Sequence, residues 1–335
     1  MPNESPILPV IIGPTASGKS DLAVELALHF NGRARPAEIL SADSVQIFRH
    51  LDIGSAKPTL DERRGVPHHL IDLAEPTERF TVADWLGACN RRIDECRARG
   101  VIPIVVGGTH LSIKALLDGL FEGPAGDPEL RARLASLPPD ELRARLEAAD
   151  PDAAARLHPN DLRRTIRALE VHTLTGRPIS RQQTQWDEWT PRETSSEADT
   201  TQTPGARRRE AQLIILHWPT ELLNRRINAR VKVMMERGLL DEVRSLHERG
   251  LFGPQTCEAL GYKQLLSHLR GECPLEDAVE KIKIETRRFA KNQRTWLRRL
   301  SAPTPGAPRP IVIDADTLPC DRWPELVLDS LSIRR

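Results

Sequence analysis

The sequence predicts an α/β fold, a parallel sheet with helices on both faces, which also carries an all-helical insertion. Three observations predict it. Short β-branched apolar runs at residues 7–12, 37–40 and 101–106 alternate with stretches of helical periodicity. The first run leads straight into Gly13-Pro14-Thr15-Ala16-Ser17-Gly18-Lys19-Ser20, a GxxxxGK(S/T) pattern whose place is between a strand and a helix. From residue 127 to about 175, Arg, Glu, Leu and Ala recur at helical spacing with no strand candidate among them.

Residues 7–12 read as a buried strand ending at a glycine. Leu22, Leu26 and Phe30 then share one helical face, with Ala23 and Ala27 beside them. Residues 37–40 form a second strand, and a helix ending at Arg99 turns through Gly100 into the third, 101–106. The core's first part is therefore 1–122. The character changes after Gly119, where a helical insertion over 123–185 is punctuated by Pro138, Pro139 and Pro151. Residues 186–210, with the polar run TSSEADTTQTPG, read as a flexible linker. The core resumes over 211–335 with a strand at 213–217 and helices near 222–237 and 240–249. A long basic helix at 275–299, a last strand at 311–313 and a closing helix at 325–331 complete it.

The formal net charge of the 335-residue chain is +1, which excludes a uniform basic coat for nucleic acid but leaves room for a local stripe. Five cysteines, odd in number and without a CxxC pair, argue against a disulfide framework or zinc site and fit a reducing cytoplasm. The chain opens without the charged segment of a signal peptide, and no apolar run approaches the ~20 residues a membrane helix needs. Neither a membrane nor an obligate protein partner is expected.

Strand, glycine loop and helix together predict a P-loop NTPase-like core. Gly13 and Gly18 let the backbone curl so that its N–H groups converge on phosphate oxygens, at a helix N-terminus whose dipole favours anions. Lys19 neutralises the terminal phosphate, and the Ser20 hydroxyl suits Mg²⁺. A diphosphate and a triphosphate look alike to such a loop. The next loop, 41–49, reads SADSVQIFR and lies at the same carboxyl edge of the sheet. Asp43 there serves equally as a helix N-cap, as a water-mediated Mg²⁺ ligand or as a general base. The turn Gly107-Gly108-Thr109 either aims the Thr109 hydroxyl into that crevice or simply joins strand to helix.

Eight blocks now add up: GPTASGKS, SADSVQIFRHLDIGSAKP (41–58), VPHHLID (66–72), VGGTHLSIKALLDGL (106–120), HPNDLRRTIRALEVHTLTGRPIS (158–180), RINARVKVMMERGLLDEV (226–243), LGYKQL (260–265) and TRRFAKNQRTW (286–296). In this order they resemble the bacterial tRNA dimethylallyltransferases, also called tRNA isopentenyltransferases, nearly end to end. The resemblance implies that the P-loop holds the diphosphate of dimethylallyl diphosphate with Mg²⁺, not ATP. It implies as partner the anticodon stem-loop of tRNA, whose adenosine 3′ to the anticodon attacks the allylic carbon through N6. Carried over, Asp43 is the base, while Thr109, Lys19 and Ser20 with Mg²⁺ stabilise the departing diphosphate. Asp43, Ser44, Val45, Gln46 and Thr109 would contact the flipped nucleotide.

Between 281 and 299, Lys281, Lys283, Arg287, Arg288, Lys291, Arg294, Arg298 and Arg299 face the single acid Glu285. Clustered cations contact phosphates, and a solvated helix face is the bland alternative. Arg163, Arg164 and Arg167 form a second cluster on the insertion. The resemblance implies tRNA contacts at Arg131, Arg164 and Arg167, and at Arg287, Lys291 and Gln293 in the basic helix. Adjacent His68 and His69 cannot face one metal from a regular element and read as structural.

Some positions depart from the family pattern. His110 and Ser112 stand where it has glycine and tyrosine, Phe48 replaces a tyrosine, and Asn292 replaces an arginine. Thr220 replaces an arginine near the diphosphate, leaving Arg225 or Arg226 to substitute. Among the alternatives, a small-molecule kinase lacks its Walker-B aspartate after residues 101–106. An enzyme acting on free adenine nucleotides has no need of the basic stripe, and a non-catalytic tRNA-binding relic follows only if Thr220 and His110 are disabling.

Overall fold

The computed structural model describes residues 7–32, 35–121, 123–183, 208, 210–304 and 306–332. Contacts divide the chain into two units, Met1–Leu117 with Gly205–Arg335, and Asp118–Pro204. The larger opens with β1 (Leu8–Ile12), α1 (Lys19–Asn31), β2 (Ala37–Ala42), α2 (Leu60–Arg63), β3 (His68–His69), α3 (Val82–Ala98), β4 (Ile102–Gly107) and α4 (His110–Asp118). The smaller holds α5 (Pro128–Ala135), α6 (Pro139–Ala149), α7 (Pro151–Arg156), α8 (Leu162–Thr175) and α9 (Ile179–Gln182). The larger then continues with β5 (Ala211–His217), α10 (Thr220–Glu236), α11 (Leu239–Glu248), α12 (Tyr262–Leu269), α13 (Leu275–Leu300), β6 (Ile311–Asp314) and α14 (Trp323–Ser332).

The six described strands are all parallel, in the order β3-β2-β4-β1-β5-β6. β1 lies between β4 and β5, with Val10 opposite both Val105 and Leu213. Every residue of β1 is buried, as a central parallel strand covered on both faces requires. Its side chains alternate: Leu8, Val10 and Ile12 join the apolar cluster of Trp85, Cys89 and Ile93 from α3, and Ile11 joins Leu22 and Leu26 from α1. One parallel direction gathers the loops after β1, β2, β4 and β5 along a single carboxyl edge.

β2 runs two residues further than the apolar pattern indicated, because Ser41 and Ala42 pair with Val106 and Gly107. A Cβ on Gly107 would lie 2.2 Å from the Ala42 carbonyl oxygen, so glycine is what lets these strands stay together up to the edge. The short β3 was not legible as a strand. His68 Nδ1 lies 2.8 Å from the Val66 carbonyl, and His69 Nε2 lies 2.8 Å from the Glu38 carboxylate. The Arg99 guanidinium grips that carboxylate with two bonds of 2.8 Å; it and His69 hold Glu38 down to about 2 against the opposing effect of burial. The histidine pair therefore fastens a sheet edge.

In the helical unit, Pro occupies the first turn of α5, α6 and α7, and Asp127, Asp150 and Asp161 accept from first-turn amides of α5, α7 and α8 that have no partner within the helix. Leu130, Leu134, Leu142, Leu146, Leu169 and Val171 form its core. This unit begins at Asp118, earlier than the boundary at 123. Of the expected linker 186–210 only Arg208 and Glu210 are described; the remainder lies outside the described residues. No described helix is long and apolar enough to cross a membrane.

Candidate active site

The loop between β1 and α1 is a concave run of amides. Ala16 (φ 62°) and Gly18 (φ 87°) are both left-handed, which turns successive N–H groups the same way and starts α1 with its dipole towards the loop. Each residue from 15 to 18 meets a group from the C-terminal half of the chain. The Thr15 N–H donates to Gln293 Oε1 (2.8 Å), Arg226 Nε donates to the Ala16 carbonyl (2.8 Å), and Trp218 Nε1 donates to the Ser17 carbonyl (3.0 Å). A Cβ on Gly18 would stand 3.3 Å from the Trp323 ring. The Ser17 hydroxyl is buried with no hydrogen bond, and Lys19 Nζ reaches only the Pro14 carbonyl at 3.4 Å. The Thr15 and Ser17 amides are thus taken, by Gln293 and by the Pro14 carbonyl (3.3 Å). The Ala16 and Gly18 amides, which have no acceptor among the described residues, with a spare hydroxyl and an ammonium, fit the oxygens of a diphosphate.

The loops after β2 and β4 meet beside this cradle. Ser44 N–H donates to Thr109 Oγ1 (3.0 Å) and Thr109 N–H donates to the Ala42 carbonyl (3.2 Å), so the threonine hydroxyl keeps its own proton to donate. Asp43 Oδ1 accepts from the amides of Val45 (2.9 Å) and Gln46 (3.3 Å), and Oδ2 has no hydrogen bond among the described residues. No helix begins at Asp43, so it is not an N-cap: one oxygen shapes a turn and the other is available for chemistry. Burial, with Arg230 adding to it, pulls Lys19 down to about 8, while Asp43 acts in the opposite direction. Arg230, lowered by burial and sustained by Asp43, was not identified from sequence. Its signal was there, since Arg226 and Arg230 stand four apart on one face of α10.

The expected tRNA-contacting residues separate into groups. Ser44 is exposed, and Val45 is partly buried against the core. Gln46 is saturated: Oε1 accepts from Ser41 Oγ, and Nε2 donates to the carbonyls of Ser55 and Ala56. Gln293 is 3% exposed and bridges Thr15 to the Gly108 carbonyl (2.8 Å), so it serves the cradle and not an outer face. A Cβ on Gly108 would lie 2.4 Å from its Nε2, which is why the turn is glycine. Lys291, with Arg294, Arg298 and Thr220, lines a hollow of about 390 Å³. Arg287 bonds Asn228 (2.8 Å) and lies 3.5 Å from Glu280.

In the helical unit two of the arginines expected to contact tRNA are already engaged by a carboxylate. Glu170 is 0% exposed, and Arg131 binds it through Nε (2.8 Å) and Nη2 (2.9 Å) while Arg167 binds it at 2.5 Å. A buried carboxylate demands such partners, so these two arginines are held to it. Arg164 is 68% exposed and pairs only with the neighbouring Asp161.

The departures have local explanations. Arg226, not Arg225, reaches the P-loop, with its guanidinium also 4.5 Å over the Trp218 ring. Thr220 accepts a hydrogen bond from Arg294 (2.6 Å). His110 stacks on Trp296 with ring centroids 4.7 Å apart, and Phe48 is buried in the apolar core.

The family model described as IPP transferase matches residues 46–300, and that described as isopentenyl transferase matches residues 6–74. The chain is 45% identical to a tRNA dimethylallyltransferase of Syntrophobacter fumaroxidans over 87% of its own length and 81% of that protein's. It is 46% identical to tRNA dimethylallyltransferase 1 of Citrifermentans bemidjiense, covering 86% and 87%. Among solved structures, the tRNA isopentenylpyrophosphate transferase of Bacillus halodurans matches at TM-score 0.66 and 34% identity, covering 98% of this chain and 95% of that one. A eukaryotic dimethylallyltransferase acting on tRNA matches at TM-score 0.77 and 30% identity, covering 99% and 81%.

Proposed function

Since this chain belongs to the IPP transferase family, among the tRNA dimethylallyltransferases, we propose that it transfers a dimethylallyl group from dimethylallyl diphosphate to N6 of the adenosine 3′-adjacent to the anticodon in certain tRNAs, releasing diphosphate. It would act in the cytoplasm, where its substrates meet. The observation that supports this most is Asp43: a carboxylate with a spare oxygen beside the P-loop lysine, on a loop tied to Thr109. β4, by contrast, ends in Gly107 and runs into Gly108 and Thr109 with no acid, which disfavours a kinase.

The amides of Ala16 and Gly18, the Ser17 hydroxyl and Lys19 hold the diphosphate, while the Thr15 and Ser17 amides are tied to Gln293 and Pro14. The adenine leaves its stack and enters beside Asp43. The N6 lone pair forms a bond to the allylic carbon as the carbon–oxygen bond breaks, its electrons pass to the diphosphate, and the N6 proton goes to Asp43 Oδ2. Negative charge grows on the leaving group, so preorganised N–H donors and cations stabilise the transition state more than the ground state. Thr109, positioned by the Ser44 amide, donates to the reacting end, and Arg226 and Arg230 add positive potential.

Ser20 is exposed, its hydroxyl has no hydrogen bond among the described residues, and no described cluster of three His, Cys, Asp or Glu offers a metal cage. That suits Mg²⁺, which keeps waters and takes most remaining ligands from a phosphate; bound by Ser20, it would neutralise charge on the diphosphate. Phosphates of the tRNA meet the exposed cations of α13, and separately Arg163 and Arg164 on α8.

The test is direct: purified protein, Mg²⁺, dimethylallyl diphosphate and unmodified tRNA, followed by mass spectrometry of the digested nucleosides. Prenylated adenosine in tRNA is expected. Modification of AMP alone, or consumption of ATP with the prenyl donor untouched, would replace the proposal with one of its rivals.

A further inference from the structure

Both family matches end at or before residue 300, yet the chain beyond them returns to the phosphate cradle. β6 pairs with β5, and α14, which begins at Trp323, packs on α1. Trp323 is 4% exposed, and its indole N–H is fixed by the Leu318 carbonyl at 2.8 Å. The ring lies against Gly18, the left-handed residue at which loop becomes helix. Its edge meets Trp218 in a T-shaped pair, centroids 6.2 Å apart and planes at 80°. Trp218 in turn holds the Ser17 carbonyl and lies under Arg226, which holds the Ala16 carbonyl.

We propose that Trp323, acting through Trp218, is a positioning residue for diphosphate binding, and that the segment after residue 300 is thereby part of the donor site. The inference rests on the cradle's being the diphosphate site. Left-handed geometry at Ala16 is unfavourable for a residue with a Cβ and persists only where its surroundings impose it. Two carbonyls on the convex side, those of Ala16 and Ser17, are pinned by donors from outside the loop. Pinning the Ser17 carbonyl outward leaves the amide of the same peptide, that of Gly18, turned inward before any anion arrives. Pinning the Ala16 carbonyl steadies the turn in which the Ser17 amide bonds the Pro14 carbonyl (3.3 Å), so less order has to be imposed on binding. Trp323 neither donates to the loop nor faces the ligand. It closes the outer side of Gly18 and fixes the ring that does donate.

Titration of the full-length protein with inorganic pyrophosphate, followed by tryptophan fluorescence and calorimetry, tests this. Trp323→Ala is expected to raise the Kd for pyrophosphate and the KM for dimethylallyl diphosphate about tenfold, with kcat and tRNA affinity nearly unchanged. Trp323→Phe, which keeps a ring on Gly18, is expected to stay within about threefold of wild type. Trp218→Phe removes only the donor to Ser17 and is expected to weaken pyrophosphate several-fold, so it decides the matter if Trp323→Ala does not fold. A lowered melting temperature with unchanged pyrophosphate Kd in Trp323→Ala and Trp218→Phe would make the tryptophans merely structural and overturn the inference. Failure of the wild type to bind pyrophosphate would overturn the assignment of the cradle and the inference with it.

Discussion

In the proposed mechanism Asp43 has two duties on two oxygens, and a substitution can separate them. Asparagine keeps an acceptor for the amides of Val45 and Gln46 but cannot take a proton from an amine. Asp43→Asn is therefore expected to lower kcat by about 10²–10⁴ while tRNA affinity, measured by filter binding, stays nearly intact. A near-normal kcat would remove Asp43 from the role of base. Lys19 offers a second residue-scale test. Burial and Arg230 favour its neutral form, bringing it to about 8, whereas a bound diphosphate favours the charged form. Below that pH the free protein already holds the proton, so diphosphate affinity is flat. Above it, binding must take up a proton, and Kd should rise by about tenfold per pH unit until the bound-state pKa is reached. Calorimetry between pH 7 and 9.5 in buffers of different ionisation enthalpy would show that uptake; a flat profile would mean that Lys19 does not face the ligand.

Between elements, the loop after β2 is held from far away in sequence. Glu242 of α11 accepts from the amides of Asp52 (3.1 Å), Ile53 (2.8 Å) and Gly54 (3.2 Å) and from the Tyr262 hydroxyl (2.7 Å). Tyr262 is fully buried, and burial, with Glu242 beside it, pushes its phenol well above the ordinary range. Glu242→Ala strands several donors at once and is expected to cost about 3 kcal/mol in urea unfolding; a loss under about 1 kcal/mol would mean that water replaces the carboxylate at no penalty. The contrast with what local pattern reveals is instructive. Strands β1, β2, β4, β5 and β6, the P-loop and α13 were legible because periodicity and glycine placement are properties of adjacent residues. β3 was not, since two histidines carry no period. Gln293, Arg226 and Trp218 were not legible as holders of the cradle, because their sequence separations from it are 278, 210 and 201 residues and only tertiary packing brings them there. The resemblance implied an RNA contact at Gln293, whereas its position on α13 turns it inward to the cradle.

At the scale of the whole molecule, charge is distributed in a way that net charge hides. The chain is nearly neutral, yet α13 gathers eight cations between residues 281 and 299 against the single acid Glu285. They are not equivalent. Lys283 and Arg287 share Glu280, and Arg294 is drawn to Thr220. Lys281, Arg288, Lys291 and Arg298 have no ion pair among the described residues, so each can exchange solvent ions for an RNA phosphate. Binding of tRNA should then weaken with salt, with a log–log slope that grows with the number of phosphates engaged. Lys291→Ala and Arg288→Ala are each expected to reduce that slope by about 1, and Arg287→Ala by less, because Glu280 and Asn228 already occupy it. Arg131→Ala should behave differently. It exposes the buried Glu170 to a missing partner, so it should destabilise the helical unit while leaving the salt slope unchanged. Filter binding of tRNA between 50 and 300 mM salt distinguishes these outcomes. An Arg131→Ala protein that lost slope and kept its melting temperature would show that this arginine touches RNA after all, with Glu170 as its orienting group and not its reason for being there.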